Sequence, residues 1–163
     1  MNFDLPPGYS SRPYAGAIEH AATAAVLTAH HFAAGDGELV TTEQIDVSYA
    51  NLRRSEIERD FAVLQHEVDG LVGYVRTGWD DTPQGRAHYV IAPIQPAHVT
   101  RPLFRGVVDG FERRVTERIV ESGDTRDGDV MRWWMHHPGP GLTPANCMAA
   151  WLEELEYQPV RFG

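Results

Sequence analysis

The side chains best suited to chemistry stand near the ends of expected strands. Glu67, His88 and His136 are the candidates for a general base. A carboxylate or an imidazole within reach of an amine can accept its proton near neutral pH. His98, Arg101 and Arg105 lie in or just after the segment QPAHVTRP, residues 95–102. That segment puts the start of a helix at the end of a strand, a geometry that holds anionic ligands. Guanidinium groups there offer phosphate a planar fork. For each of these residues the plain alternative is a solvated polar side chain. The doublets His30-His31 and His136-His137 point their rings apart, and no His-x-x-x-His spacing occurs, so no metal site is expected. Cys147 has no histidine at an evident spacing and reads as a buried helix residue. Trp133-Trp134 should divide between the core and the other face of a sheet, and Asp80-Asp81 read as turn residues.

The elements that would position these groups follow from pattern. DFAVLQHEVDGLVGYVR, residues 60–76, reads as a hairpin whose Asp69-Gly70 pair suits a type I′ turn. RAHYVIAPI, residues 86–94, is a third strand. RPLFRGVVDGFERRVTERIVE, residues 101–121, is a long amphipathic helix. Leu103, Val107, Phe111, Val115 and Ile119 form its apolar stripe, and Arg113, Arg114 and Arg118 its opposite side. Upstream, residues 1–9 read as a loose arm, SSRPY as a short first strand, and Ile18, Ala22, Ala25, Ala29 and Phe32 as one face of a helix ended by Gly35. Thr41 and Gln44 have capping-box spacing for a second helix reaching about Asn51. Downstream, VMRWWMHH (130–137) is a strand, Thr143-Pro144 opens a last helix, and QPVRF (158–162) begins a last strand. The order β-α-α-β-β-β-α-β-α-β implies an α/β fold of three layers, with a mixed, mostly antiparallel sheet and helices on both faces.

Composition narrows the function classes. A chain of 163 residues with 42% hydrophobic and 23% charged residues suits one globular domain, expected over residues 10–163. The net charge is −9 and Arg, with no Lys, supplies the cations, which argues against a nucleic-acid partner. No apolar run approaches membrane-helix length and MNFDLPPGYSS lacks a signal-peptide pattern, so a cytoplasmic protein with no membrane partner is expected. A single cysteine excludes an internal disulfide.

The element order, the phrase DFAVLQHEVDGLVGYVR and the ending LEELEYQPVRF together resemble the GNAT family of acetyl-CoA-dependent N-acetyltransferases, over about Arg12 to Phe162. In particular the chain looks like the first half of two-domain actinobacterial members such as the mycothiol synthases. The resemblance implies the three-layer GNAT-like fold and acetyl-CoA or CoA as the cofactor. The backbone of the fourth strand, ending at Ile94, would run along the pantetheine. Matching the helix pattern puts Val99 on the family's Gln/Arg position, and Pro102 and Phe104 on its two glycine positions. A frame three residues away offers Val99 and Arg101 instead. Neither frame has a glycine between Pro93 and Arg105, where backbone N–H groups should wrap a pyrophosphate. Arg101 and Arg105 would be the substitute contacts, Phe104 would fill phosphate space, and Asn146 stands at the family's asparagine position. Leu152 takes the place of the tyrosine that protonates the leaving thiolate.

The function expected on this basis is a GNAT domain with a degenerate phosphate loop, acting as the structural or regulatory half of a larger acetyltransferase. The alternatives are an active N-acyltransferase acting on a small amine, and a ligand-binding module on the same scaffold. The expected partners are a small-molecule ligand or a second GNAT domain. An ending at Gly163 would leave a strand edge unpaired and favour a homodimer.

Overall fold

Side chains on both faces of the Phe61–Trp79 region are apolar, so the sheet must be covered on both sides. The computed structural model describes residues 1–134 and 143–159, with residues 144 and 145 as backbone only. Its strands are β1 (Tyr9–Arg12), β2 (Phe61–His66), β3 (Gly70–Asp81), β4 (Arg86–Ile91) and β5 (Val130–Trp134). They pair in the order β1-β2-β3-β4-β5, antiparallel up to β4, with β5 parallel to β4. The helices are α1 (His20–Ala34), α2 (Thr42–Ala50), the single turn α3 (Ile57–Asp60), α4 (Arg101–Ser122) and α5 (Pro144–Glu154).

One sheet face meets α2, where Tyr49 stacks edge-on against Phe61 at 5.2 Å. The other meets α4, whose Val107, Phe111 and Val115 join Leu64, Val75 and Val90 in the core. This is the mixed three-layer α/β arrangement expected from the sequence. The parallel β4–β5 pair follows from the crossover through α4.

Local chemistry sets most boundaries. The Thr41–Gln44 capping box forms in both directions. Thr143 Oγ1 accepts from the Asn146 N–H at 3.2 Å to cap α5. Gly35 and Gly123 end α1 and α4 in the left-handed conformation.

The hairpin turn differs from expectation. Type I′ needs positive φ at both central residues, and among the described residues other than glycine only Arg54 and Glu156 have it. Glu67, Val68 and Asp69 instead form a three-residue loop, with Gly70 at φ 72° re-entering the ladder opposite His66. A bulge follows: Leu64 pairs with Gly73 and Gln65 with Leu71. β4, expected to reach Ile94, ends at Ile91, and Ile94 rejoins the sheet as an isolated bridge to Gly73.

Three further expectations are corrected. The Ile18-to-Phe32 stripe faces outward, with Ile18 86% and Phe32 58% exposed. The buried face of α1 carries His20, Thr23, Ala24, Val26, His30, His31 and Ala34. Its polar members are buried because they are paired: His20, for one, bonds Asp46 and Tyr14. Arg114 and Arg118 are likewise buried rather than on a solvated side of α4. Residues 1–9, read as a loose arm, pack Met1, Phe3 and Leu5 against the core, and Arg113 donates to the Asn2 carbonyl at 3.1 Å. Gly106 permits this, since a Cβ there would lie 2.4 Å from the Asp4 carbonyl oxygen. The last-strand residues 160–163 lie outside the described residues.

Candidate functional site

The start of α4 is the place where an anionic cofactor would be held. Thr100 precedes the helix without capping it, and Pro102 in the first turn removes one N–H that a helix start would otherwise present. Arg101 Nη2 donates to Glu154 Oε1 of α5 at 2.6 Å, and its guanidinium lies 5.9 Å from the Trp151 ring. Arg105 Nε donates to Asp109 Oδ1 at 2.9 Å. Both cations that could replace the missing glycine loop therefore already face carboxylates. Phe104 does not fill phosphate space. It is 1% exposed and turns inward onto Trp133 at 5.2 Å and Trp151 at 5.9 Å. The apolar 103–111 stripe requires this, because a residue one position after Leu103 still lies over the sheet.

His98 does not join the two arginines. It is 8% exposed and points to Tyr9 and Asp69. Val99, partly buried against the core, closes the 3-10 turn Pro96–His98 by donating its N–H to Pro96 O at 3.3 Å.

β4 and β5 last pair at Ile91 and Trp134. Beyond that point the described residues leave a space of about 30 Å³, bounded by Leu27, His30, Ile91, Trp133, Trp134 and Met148. That is room for about one water. Ile94 is fully buried, and its carbonyl accepts from His30 Nδ1 at 3.4 Å. Asn146 sits in the first turn of α5 with its backbone N–H on the Thr143 cap. Leu152 is 5% exposed within the core, so no hydroxyl stands at that point of α5. Cys147 is half-buried rather than buried.

The three candidate bases do not come together. His88 is 1% exposed, and Arg118 Nη1 donates to its Nδ1 at 3.1 Å. Burial, and then the Arg118 charge, lower its pKa to about 4. It is thus neutral and enclosed at pH 7, the reverse of an exposed base. Glu67 lies in the hairpin loop beside an open concavity of about 480 Å³. His136 lies outside the described residues.

Sequence reasoning missed the network into which His88 falls. Asp60 Oδ1 accepts from Arg114 Nε at 2.7 Å and from Arg118 Nη2 at 2.8 Å, and Arg118 also reaches Thr77 Oγ1 at 3.2 Å. Asp60 Oδ2 accepts from the Glu56 N–H at 2.8 Å. Burial alone would raise the Asp60 pKa, but the bonds from Glu56, Arg114 and Arg118 outweigh it and hold the carboxyl below its ordinary value. The network ties α3, β3, β4 and α4 together beneath the helix. Its one legible sign was a pair of arginines at helical spacing beside an apolar stripe.

No protein-family model and no curated protein sequence matches the chain. Solved structures do. A GCN5-related N-acetyltransferase from Sphaerobacter thermophilus superposes with a TM-score of 0.72 at 15% identity, over 97% of this chain and 46% of that one. The chain thus spans less than half the length of that protein. A GCN5-related glucosamine N-acetyltransferase region of a fungal multi-domain GH3 β-N-acetylglucosaminidase gives a TM-score of 0.55 at 12% identity, over 92% of this chain and 17% of that one. The fold of this chain is that of the GCN5-related N-acetyltransferases.

Proposed function

We propose that this chain is a GNAT-family domain that does not carry out acetyl-CoA chemistry itself and serves, in the cytoplasm, as the structural or regulatory half of a larger acetyltransferase of the two-domain, mycothiol synthase kind. The observation that carries this reading is the start of α4. A cofactor pyrophosphate needs converging N–H donors or free cations there. The chain offers Pro102, no glycine, and two arginines already bonded to Glu154 and Asp109. The small space past Ile91 and the buried Leu152 agree with it. The outward apolar side chains Ile18 and Phe32 suit cover by a second GNAT domain or a second copy of the chain.

The rival reading is an active acetyl-CoA-dependent N-acyltransferase. It rests on the exposure of Arg101 and Arg105, 59% and 55%, which leaves both free to exchange a carboxylate for a phosphate. Thermal unfolding with acetyl-CoA decides between them. Ligand at about 100 times its dissociation constant adds ~2.7 kcal/mol, a shift of several degrees. We expect little or no shift at millimolar acetyl-CoA. A saturable shift that Arg101→Ala abolishes overturns the proposal in favour of the active enzyme.

A further inference from the structure

We propose that His66, Asp69 and His98 form a binding site for a divalent first-row transition metal ion, at the junction of the hairpin loop, β1 and the 3-10 turn before α4. His66 Nδ1 lies 3.0 Å from Asp69 Oδ2, and His98 Nε2 lies 3.1 Å from the same oxygen. All three ligand atoms fall within 4.8 Å of one another. Metal bonds of about 2.1 Å at right angles put neighbouring ligand atoms about 3.0 Å apart, so the two measured edges suit one face of an octahedron. Two imidazoles with one carboxylate select Zn²⁺, Co²⁺, Ni²⁺ or Fe²⁺ over Mg²⁺ and Ca²⁺, which prefer oxygen ligands.

The fold builds this arrangement. Gly70 in the left-handed conformation closes the loop so that Asp69 comes back beside His66. His66 Nδ1 accepts a long hydrogen bond from the Asp69 N–H at 3.4 Å, which holds that nitrogen over the loop as an acceptor, and a metal ion bound there would take the place of this bond. The 3-10 turn is pinned to the hairpin through the Gln95 N–H, which donates to Val72 O at 2.8 Å, and this brings His98 onto the same carboxylate. Tyr9 pairs with His66 across β1 and β2, and its hydroxyl is 2.9 Å from His98 Nδ1. A proton held on Nδ1 by that hydroxyl leaves Nε2 as the metal-facing lone pair, the role of the outer partner of a metal-bound histidine. An open concavity of about 480 Å³, lined by His66, Glu67 and Tyr9, adjoins the cluster on its His66 side. Imidazole N–H hydrogens or one metal ion can bridge the carboxylate to the two rings, and the experiment separates these.

The purified chain, freed of metal with a chelator, is titrated with Co²⁺ and followed by visible absorption, with Zn²⁺ as competitor and thermal unfolding as a second readout. One equivalent should bind, displaced by Zn²⁺ and raising the unfolding temperature. His66→Gln and His98→Gln should each weaken binding at least 10-fold, and Tyr9→Phe about 10-fold. His31→Gln should leave it unchanged, since it removes the one other compact ligand group among the described residues, with Asp36 and Glu38. Circular dichroism checks each variant. If His98→Gln does not fold, His66→Gln and Asp69→Asn decide, because Asp69 is exposed and His66, at the end of β2, is partly so. Absence of binding at millimolar Co²⁺ shows that protons alone fill the cluster and overturns the proposal. So does binding that survives His66→Gln and Asp69→Asn, or that is lost in His31→Gln.

Discussion

The two ends of α4 carry the same chemistry in opposite surroundings. At its start Arg101 and Arg105 meet Glu154 and Asp109 at 2.6 and 2.9 Å. In its second half Arg114 and Arg118 meet Asp60 at 2.7 and 2.8 Å. The distances hardly differ. The environment does: the first pairs are exposed, while the Arg114 and Asp60 side chains are each 3% exposed. Exposed pairs gain little, because water screens them and long side chains lose freedom in making them. A buried pair cannot be judged by its distance either, since taking the charges out of water costs as much as their attraction returns. What it does is make each partner indispensable to the other. The helix start therefore keeps charges that can be exchanged, and the buried half has spent its charges on holding helix to sheet.

Removing Asp60 puts the largest strain on this contrast. Asp60→Asn keeps the shape and can still accept hydrogen bonds, but it takes the counter-charge from buried Arg118 and leaves buried Arg114 only the more distant Glu117 and Glu121 carboxylates, at 3.8 and 3.9 Å. A loss of about 3–5 kcal/mol is expected in urea unfolding. A loss below about 1 kcal/mol would mean that the two ends of α4 do not differ in kind.

Next in size is a pH effect at His88, on the edge of the buried network. Its folded pKa of about 4 lies below the ordinary 6.5. Between these values the unfolded chain binds a proton that the folded chain refuses. Stability from this group is therefore complete above about pH 6.5 and declines as the pH falls towards 4. From pH 7 to pH 5 the decline amounts to about 2 kcal/mol. The depressed Asp60 pKa acts lower on the scale, where its contribution is present above the unfolded carboxylate value and is lost as pH falls through the folded one. The measurement is urea unfolding at pH 7 and pH 5 for the wild type and His88→Gln. The variant should lose less stability over that interval; equal losses would place His88 outside the low-dielectric interior.

How much of this was legible beforehand depends on how local the signal was. The capping box at Thr41 and Gln44, the Thr143 cap and the glycine stop at Gly35 are short-range chemistry, and they could be read directly. So could the hairpin, the long helix and the order of elements that gives the mixed sheet. The buried face of α1 could not. Its polar residues find partners on other elements, as His20 does at Asp46, so hydrophobic periodicity pointed at the wrong side. Arg114 and Arg118 were assigned to solvent for the same reason, since their partner Asp60 lies far away in sequence. His98 looked like part of an anion site because it is close to Arg101 in the chain, yet the 3-10 turn directs it to the hairpin loop. Only the absence of glycine at the start of α4 carried functional information that needed no tertiary partner.

The smallest effect tests the exposed end. Arg101→Ala and Glu154→Ala should each change stability by less than about 1 kcal/mol, with a coupling of about 0.5 kcal/mol that disappears in molar salt. A double-mutant cycle at low and high salt measures it. The same variants sharpen the proposed function, in which two features would close the start of α4 to a phosphate: the Glu154 carboxylate on Arg101, and the backbone without glycine that includes Pro102. Glu154→Ala removes the first and leaves the second. If the backbone decides, the variant stays as indifferent to acetyl-CoA as the wild type, because one mobile guanidinium does not replace a set of converging N–H donors. If a saturable thermal shift appears in Glu154→Ala, the ion pair alone was holding the site shut. The helix start would then be an inhibited cofactor site rather than a lost one, and Glu154 on α5 the residue that keeps it so.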